Sequence, residues 1–86
     1  MPPKAEQVEV HLRLANRSKD TLQVYLEPQG MAYSFEPGVV FDVVAKGRSG
    51  TPPNDRLEIE WAEQCVTVYG WSGSIVTFFQ DGVELP

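Results

Sequence analysis

The chain has 86 residues, of which 42% are apolar and 22% are charged. This length supports one small domain with a single core and excludes large enzymes built from several domains. Twelve acidic residues against seven Lys and Arg residues give a net charge of -5. Because proteins gain most of their affinity for nucleic acids by neutralising phosphate charge, this acidity argues against DNA and RNA as partners.

Cysteine content and hydropathy predict where the protein works. A single cysteine, Cys65, cannot form an internal disulfide. The first seven residues lack the apolar run of a signal peptide, and no run of roughly 18 apolar residues occurs anywhere. We therefore expect a protein of the reducing cytoplasm that does not insert into a membrane.

Two amphipathic strands are predicted near the N-terminus. Apolar residues occupy every second position of residues 8–14 and again of residues 22–27, which is the period of a half-buried strand. Turn-forming polar residues at 16–20 separate the two strands, so a hairpin is expected. Residues 1–6 have no periodicity and are predicted to form a frayed tail.

Prolines and glycines delimit the next segments. Pro28 and Gly30 end the second strand, and a short extended piece follows. Pro37 and Gly38 occupy the two central positions favoured in a type II turn, so the chain is expected to reverse there. Residues 39–45 contain one polar residue in a β-branched, apolar run, which predicts a central strand covered on much of both faces.

The second half of the chain predicts a loop followed by a hairpin. Residues 46–56 hold two glycines, two prolines and no apolar residue, which is typical of a surface loop. Residues 57–61 and 65–69 each alternate apolar and polar side chains, so they are expected to form the two strands of a hairpin.

Asp81 and Gly82 are the strongest hairpin signal in the chain, because a type I′ turn needs positive φ at both central residues. They join a predicted strand at residues 75–80 to a short edge strand at 83–85. No window of roughly 11 residues or more has the apolar spacing of a helix. The sequence therefore predicts one all-β domain, a small antiparallel β-sandwich or partly open barrel of six or seven strands.

Few residues of the chain could bind a metal ion or act as a catalytic nucleophile. A metal site would need His11, the one histidine, to meet Cys65 and Met31 from three distant segments. We interpret His11 as a surface residue between charged neighbours and Cys65 as an inert, half-buried hydrophobe. No phosphate-binding glycine motif occurs, and so small a domain has no room for a deep cleft between paired carboxylates. We therefore expect no catalytic residues, no metal and no cofactor.

Aromatic side chains give the one indication of binding. Strand alternation turns Tyr25 and Glu27 outward on one predicted strand, and Tyr69 and Trp71 outward at the end of another. Exposed tyrosine and tryptophan stack on ligands and are common in protein interfaces. These four residues are the predicted binding face. In an alternative interpretation, Trp71 and Trp61 are the largest core residues, and a bulge beside Trp71 turns its side chain inward.

Part of the sequence resembles a group of small bacterial all-β proteins. The likeness is carried by Val24-Tyr25-Leu26-Glu27-Pro28 and the turn Pro37-Gly38, with Tyr69-Gly70-Trp71 and Asp81-Gly82 further on. Those proteins have no characterised activity. The resemblance therefore implies a fold and assigns no role to any residue of this chain.

These observations predict a non-enzymatic module that binds another macromolecule or a small ligand through an aromatic and acidic face. An alternative from a different class is a structural or accessory subunit, encoded by a phage or an operon, that is completed by edge-strand pairing in an assembly. The same C-terminal edge strand could pair two copies into a homo-oligomer.

Overall fold

The structure, a computed structural model, describes residues 7–49 and 56–86. It contains eight strands in chain order: β1 Gln7–Ala15, β2 Leu22–Glu27, β3 Met31–Phe35, β4 Val40–Arg48, β5 Glu58–Ala62, β6 Cys65–Tyr69, β7 Ser74–Gln80 and β8 Val83–Glu84. The strands form two four-stranded sheets, sheet A with the order β1-β4-β7-β8 and sheet B with the order β3-β2-β6-β5. The described ranges contain no helix of the length and hydropathy needed to cross a membrane. The predicted tail at residues 1–6 lies outside them.

The two sheets pack against each other around one core. Both sheets contribute buried apolar residues, which are Leu22, Val24, Leu26, Phe35, Phe41, Val43, Ala45, Val66, Val68, Trp71, Val76 and Phe78. The rings of Phe35 in sheet B and Phe41 in sheet A stack with their centroids 3.9 Å apart. This packing confirms the all-β sandwich, and the sheets do not close into a barrel.

Two predicted tight turns and the predicted central strand are confirmed. Asp81 and Gly82 have φ values of 52° and 78°, as a type I′ turn requires, and they join β7 to β8. Gly38 has a φ of 85°, and the Val39 N–H closes the turn by donating to the Glu36 carbonyl at 3.1 Å. β4 lies between β1 and β7, as expected of a central strand.

The predicted hairpin between the first two strands is wrong. β1 pairs with β4, whereas β2 pairs with β3 and β6, so residues 16–20 carry the chain from sheet A to sheet B. Asn16 is buried at this crossing, and its Nδ2 donates to the carbonyls of Asp20 and Phe35 at 2.9 and 3.0 Å. Its Oδ1 accepts from the backbone N–H and the hydroxyl of Ser18. These bonds hold the crossing in place of a hairpin turn.

Strand number and one pairing also differ from the prediction. The short extended piece forms a paired strand, β3, so the sheets contain eight strands and not six or seven. The pairing is antiparallel throughout except between β2 and β6, which are parallel.

The predicted loop at 46–56 begins later than expected, because β4 continues to Arg48; residues 50–55 lie outside the described ranges. Gly47 makes this extension possible. A Cβ at that position would lie 2.6 Å from the Gly73 carbonyl oxygen, so only glycine lets β4 pass so close to the turn before β7. Glycine is typical of loops, but Gly47 lies in a strand, where it lets two backbone segments pack closely.

Candidate functional site

The outer side of sheet B brings three of the four predicted binding residues together. The parallel register of β2 and β6 places Tyr25 beside Thr67 and Glu27 beside Tyr69. A shallow groove of about 540 Å³ runs between the strands and is lined by Tyr25, Glu27, Pro28, Thr67, Tyr69 and Gly70. We call these six residues, with Glu58 and Glu60 on the neighbouring strand β5, the tyrosine face. Because the groove is open and shallow, it suits the surface of a larger ligand better than a small buried substrate.

The charged residues of the tyrosine face, Glu27, Glu58 and Glu60, are all acidic. On β5, Glu58 pairs with Tyr69 and Glu60 pairs with Thr67, so both carboxylates lie beside the groove. The Tyr69 hydroxyl donates to Glu60 Oε1 at 3.2 Å. The four strands of sheet B contain no Lys or Arg. Glu27, Glu58 and Glu60 therefore give this side of the sheet a negative potential without a cation on the same strands to offset it.

The environment of the tyrosine face shifts the pKa of Tyr69. Burial between its neighbours raises its pKa above the ordinary value of 10.0, and the nearby Glu60, with smaller contributions from Glu58 and Glu27, raises it further. Both effects act in the same direction, because desolvation and negative charge each disfavour the phenolate. The neutral hydroxyl is thus retained as a hydrogen-bond donor.

A titration can test the position of Tyr69. In an NMR titration of the ring carbons, we expect Tyr69 to ionise above 10.0, and Glu60→Gln should lower its pKa only in part, because burial remains. Since the folded state holds the proton more tightly, the stability from this group is full below the unfolded pKa and is lost as the pH rises through the folded pKa. Ionisation of Tyr69 at or below its ordinary pKa would contradict this environment.

Trp71, the fourth predicted binding residue, lies in the core. Only 4% of its surface is exposed, and its Nε1 donates to the Arg48 carbonyl at 2.8 Å. The prediction that it faces outward is wrong because β6 ends at Tyr69 and the chain then crosses from sheet B to sheet A. Strand alternation does not apply beyond the end of a strand. The alternative interpretation is therefore confirmed for Trp71.

Trp61 shows the opposite outcome. The alternative interpretation also places Trp61 in the core, which is wrong, although Trp61 does pair with Val66 on the inner side of sheet B. Its side chain is nevertheless 64% exposed, because β5 is the outermost strand of that sheet. Alternation identifies the side of a strand and does not reveal whether another layer covers it.

The remaining chemically versatile residues do not converge. His11 is exposed on β1 and contacts the Glu9 carboxylate, which confirms its interpretation as a surface residue among charges. Cys65 is half-buried at the start of β6. Within residues 7–49 and 56–86, no three His, Cys, Asp or Glu side chains are grouped as a metal site would need. The tyrosine face is thus the candidate site.

Comparisons with protein-family models, with curated proteins and with solved structures found no match to this chain. The resemblance to small bacterial all-β proteins therefore stays a prediction. Function must be inferred from the side chains of the candidate site.

Proposed function

We propose that this protein is a non-enzymatic binding module whose tyrosine face holds a positively charged, extended segment of a partner protein. One observation carries the proposal: two tyrosines and three carboxylates share one side of a sheet whose strands contain no Lys or Arg. Aromatic faces attract ammonium and guanidinium groups, and carboxylates pair with the same groups. The chemistry of the face therefore selects cations.

The spacing of the groove fits an extended ligand. Tyr25 and Glu27 project from one strand two residues apart, at a separation of roughly 7 Å. Side chains on one side of a bound extended segment have the same spacing. An arginine over the Tyr25 ring, which is 39% exposed, would place the next such residue beside Glu27 and Tyr69. The Tyr69 hydroxyl is already held by Glu60, so its ring is oriented before the ligand arrives.

Binding of a labelled peptide tests the proposal. We expect a peptide with arginine at every second position to bind the protein, and the same peptide with glutamate at those positions not to bind. Tyr25→Ala and Tyr69→Ala should each weaken binding about tenfold, because each removes one cation–π contact in a partly desolvated groove. Added salt should weaken binding as well, since the carboxylates contribute Coulomb attraction. Fluorescence anisotropy measures each affinity.

Two variants serve as controls. Trp61→Ala removes an exposed aromatic ring that lies outside the tyrosine face, so it should leave peptide affinity unchanged. Glu27→Gln keeps the shape and removes one charge; an unchanged affinity would show that the face works by stacking alone. Equal binding of the arginine and glutamate peptides would contradict the proposal.

A structural subunit completed by strand pairing is a second candidate. It is favoured by the exposed position of β8 at the edge of sheet A. However, β8 comprises only Val83 and Glu84, and so short an edge offers few backbone groups to a partner strand. The tyrosine face therefore remains the better supported site.

A further inference from the structure

The outer side of sheet A exposes large apolar side chains among its polar ones, where an antiparallel sheet that faces water is usually polar. The central strands β4 and β7 direct Val44, Ile75 and Phe79 outward, and Ile75 is 69% exposed. Strands with apolar residues on both sides are typical of sheets that are covered on both sides. In residues 7–49 and 56–86 the two sheets are the only layers, so the described part of the chain leaves this side uncovered.

We propose that this side of sheet A is the interface of a two-fold symmetric dimer with a second copy of the chain. The outward residues at the centre of this side form three rows across β1, β4 and β7, between the pairs Gln7-Arg48 and Ala15-Val40, and Glu84 of β8 lies beside Phe79. These rows are Glu9-Lys46-Ile75, His11-Val44-Thr77 and Arg13-Asp42-Phe79. We call the nine residues the dimer face. Its pattern of charge and hydrophobicity is complementary to itself.

Symmetry produces this complementarity directly from the strand register. A two-fold axis that lies along the middle row, perpendicular to the strands, reverses the strand direction and places each outer row over the opposite row of the second copy. Lys46 then faces the partner's Asp42. Glu9 faces the partner's Arg13, and Ile75 faces the partner's Phe79. Each of the four charges in the two outer rows meets an opposite charge, and the two apolar residues of β7 meet those of the second copy.

The charges of the dimer face are already arranged for this contact. Within one chain, Arg13 Nε lies 2.8 Å from Asp42 Oδ1, and Lys46 Nζ lies 3.6 Å from Glu9 Oε1. Each of the two outer rows is therefore neutral, and the order of the signs from β1 to β4 is opposite in the two rows. The tyrosine face, in contrast, would bring three carboxylates against three in a symmetric contact. Of these two surfaces, the outer side of sheet A is the one that suits a second copy of a chain with a net charge of -5.

The available area predicts a weak dimer. A four-stranded face about 19 Å wide and roughly 25 Å long presents about 500 Å² per copy, or roughly 1,000 Å² in total. This total lies at the lower limit of specific interfaces, so we expect a dimer that dissociates on dilution. A recess of about 630 Å³ that includes Val44, Ile75 and Phe79 in its lining gives the facing side chains room to interlock.

Sedimentation velocity over a concentration series from about 1 μM to about 1 mM tests the dimer. The natural chain should pass from monomer to dimer in this range. Lys46→Glu alone and Asp42→Lys alone should stay monomeric, because each substitution sets like charges against each other twice across the axis. An equimolar mixture of these two variants should dimerise again, since each altered residue then faces an opposite charge.

Substitutions that remove an exposed apolar side chain distinguish this interface from other modes of association. Ile75→Ser should raise the dissociation constant at least tenfold, whereas Val83→Ser, which alters a valine of similar exposure outside the three rows, should leave it unchanged. Circular dichroism melts verify that each variant is folded. A chain that stays monomeric throughout the series would overturn the proposal. So would a mixture of the charge variants that does not associate, or a dimer that dissociates on Tyr25→Ala and survives Ile75→Ser.

Discussion

Substitution of Trp71 by alanine is expected to lower the free energy of unfolding by about 3 to 5 kcal/mol. The indole is 4% exposed and donates to the Arg48 carbonyl at 2.8 Å. Its removal opens a cavity where the chain crosses between the sheets and leaves that carbonyl without its donor. Urea denaturation followed by circular dichroism measures the loss, since this signal does not depend on the deleted fluorophore.

Trp61 provides a matched control for this prediction. It is the other tryptophan of the chain and is 64% exposed, so Trp61→Ala should lower the free energy of unfolding by about 1 kcal/mol or less. Trp71→Phe should fall between the two, because it retains most of the apolar volume and loses only the hydrogen bond. Equal losses for the two alanine variants would contradict the different positions of the tryptophans.

Asn16→Asp is expected to lower the free energy of unfolding by about 3 kcal/mol or more at neutral pH. The substitution preserves shape and exchanges a buried donor for a buried negative charge. Asn16 Nδ2 donates to the carbonyls of Phe35 and Asp20, and an ionised carboxylate can donate to neither. Two carbonyl oxygens would instead face a carboxylate oxygen at the crossing from sheet A to sheet B.

The pH dependence of the free energy of unfolding of Asn16→Asp distinguishes the effect of the buried charge from any effect of side-chain shape. Burial and the facing carbonyls raise the pKa of the new acid in the folded state, so its penalty is full above the folded-state pKa and disappears as the pH falls below the unfolded pKa. The control Ser18→Ala removes a partner of the Asn16 Oδ1 in a less buried position, and it should cost about 1 kcal/mol. If Asn16→Asp unfolds with the stability of the natural chain at neutral pH, Asn16 does not hold the crossing.

Local chemistry made the strands and tight turns predictable from the sequence. Side chains alternate across a strand, so the apolar positions of β1 and β2 mark the core side of each strand without knowledge of its neighbours. Asp81 and Gly82 specify their turn because their own backbone angles demand it. The same alternation places Tyr25, Glu27 and Tyr69 outward.

Pairing partners could not be predicted, because no local signal encodes them. The polar residues after β1 are equally compatible with a hairpin and with a crossing between sheets, and the buried hydrogen bonds of Asn16 decide for the crossing. The parallel contact of β2 with β6 joins segments about 40 residues apart in the chain. That contact turns Tyr25 and Tyr69 from separate outward residues into one face.

By itself, the sequence determined which side of the amphipathic strands β1 and β2 is apolar, where the tight turns at Pro37-Gly38 and Asp81-Gly82 fall and that the domain is all β. Only the tertiary structure decided which apolar sides are covered: Trp71 is buried because the chain folds back between the sheets, and Trp61 is exposed because β5 is an edge strand. The physical reason is the distance along the chain over which each of these effects acts. Alternation and turn geometry arise within a few neighbouring residues, whereas burial depends on which distant segment, or which second chain, packs against them.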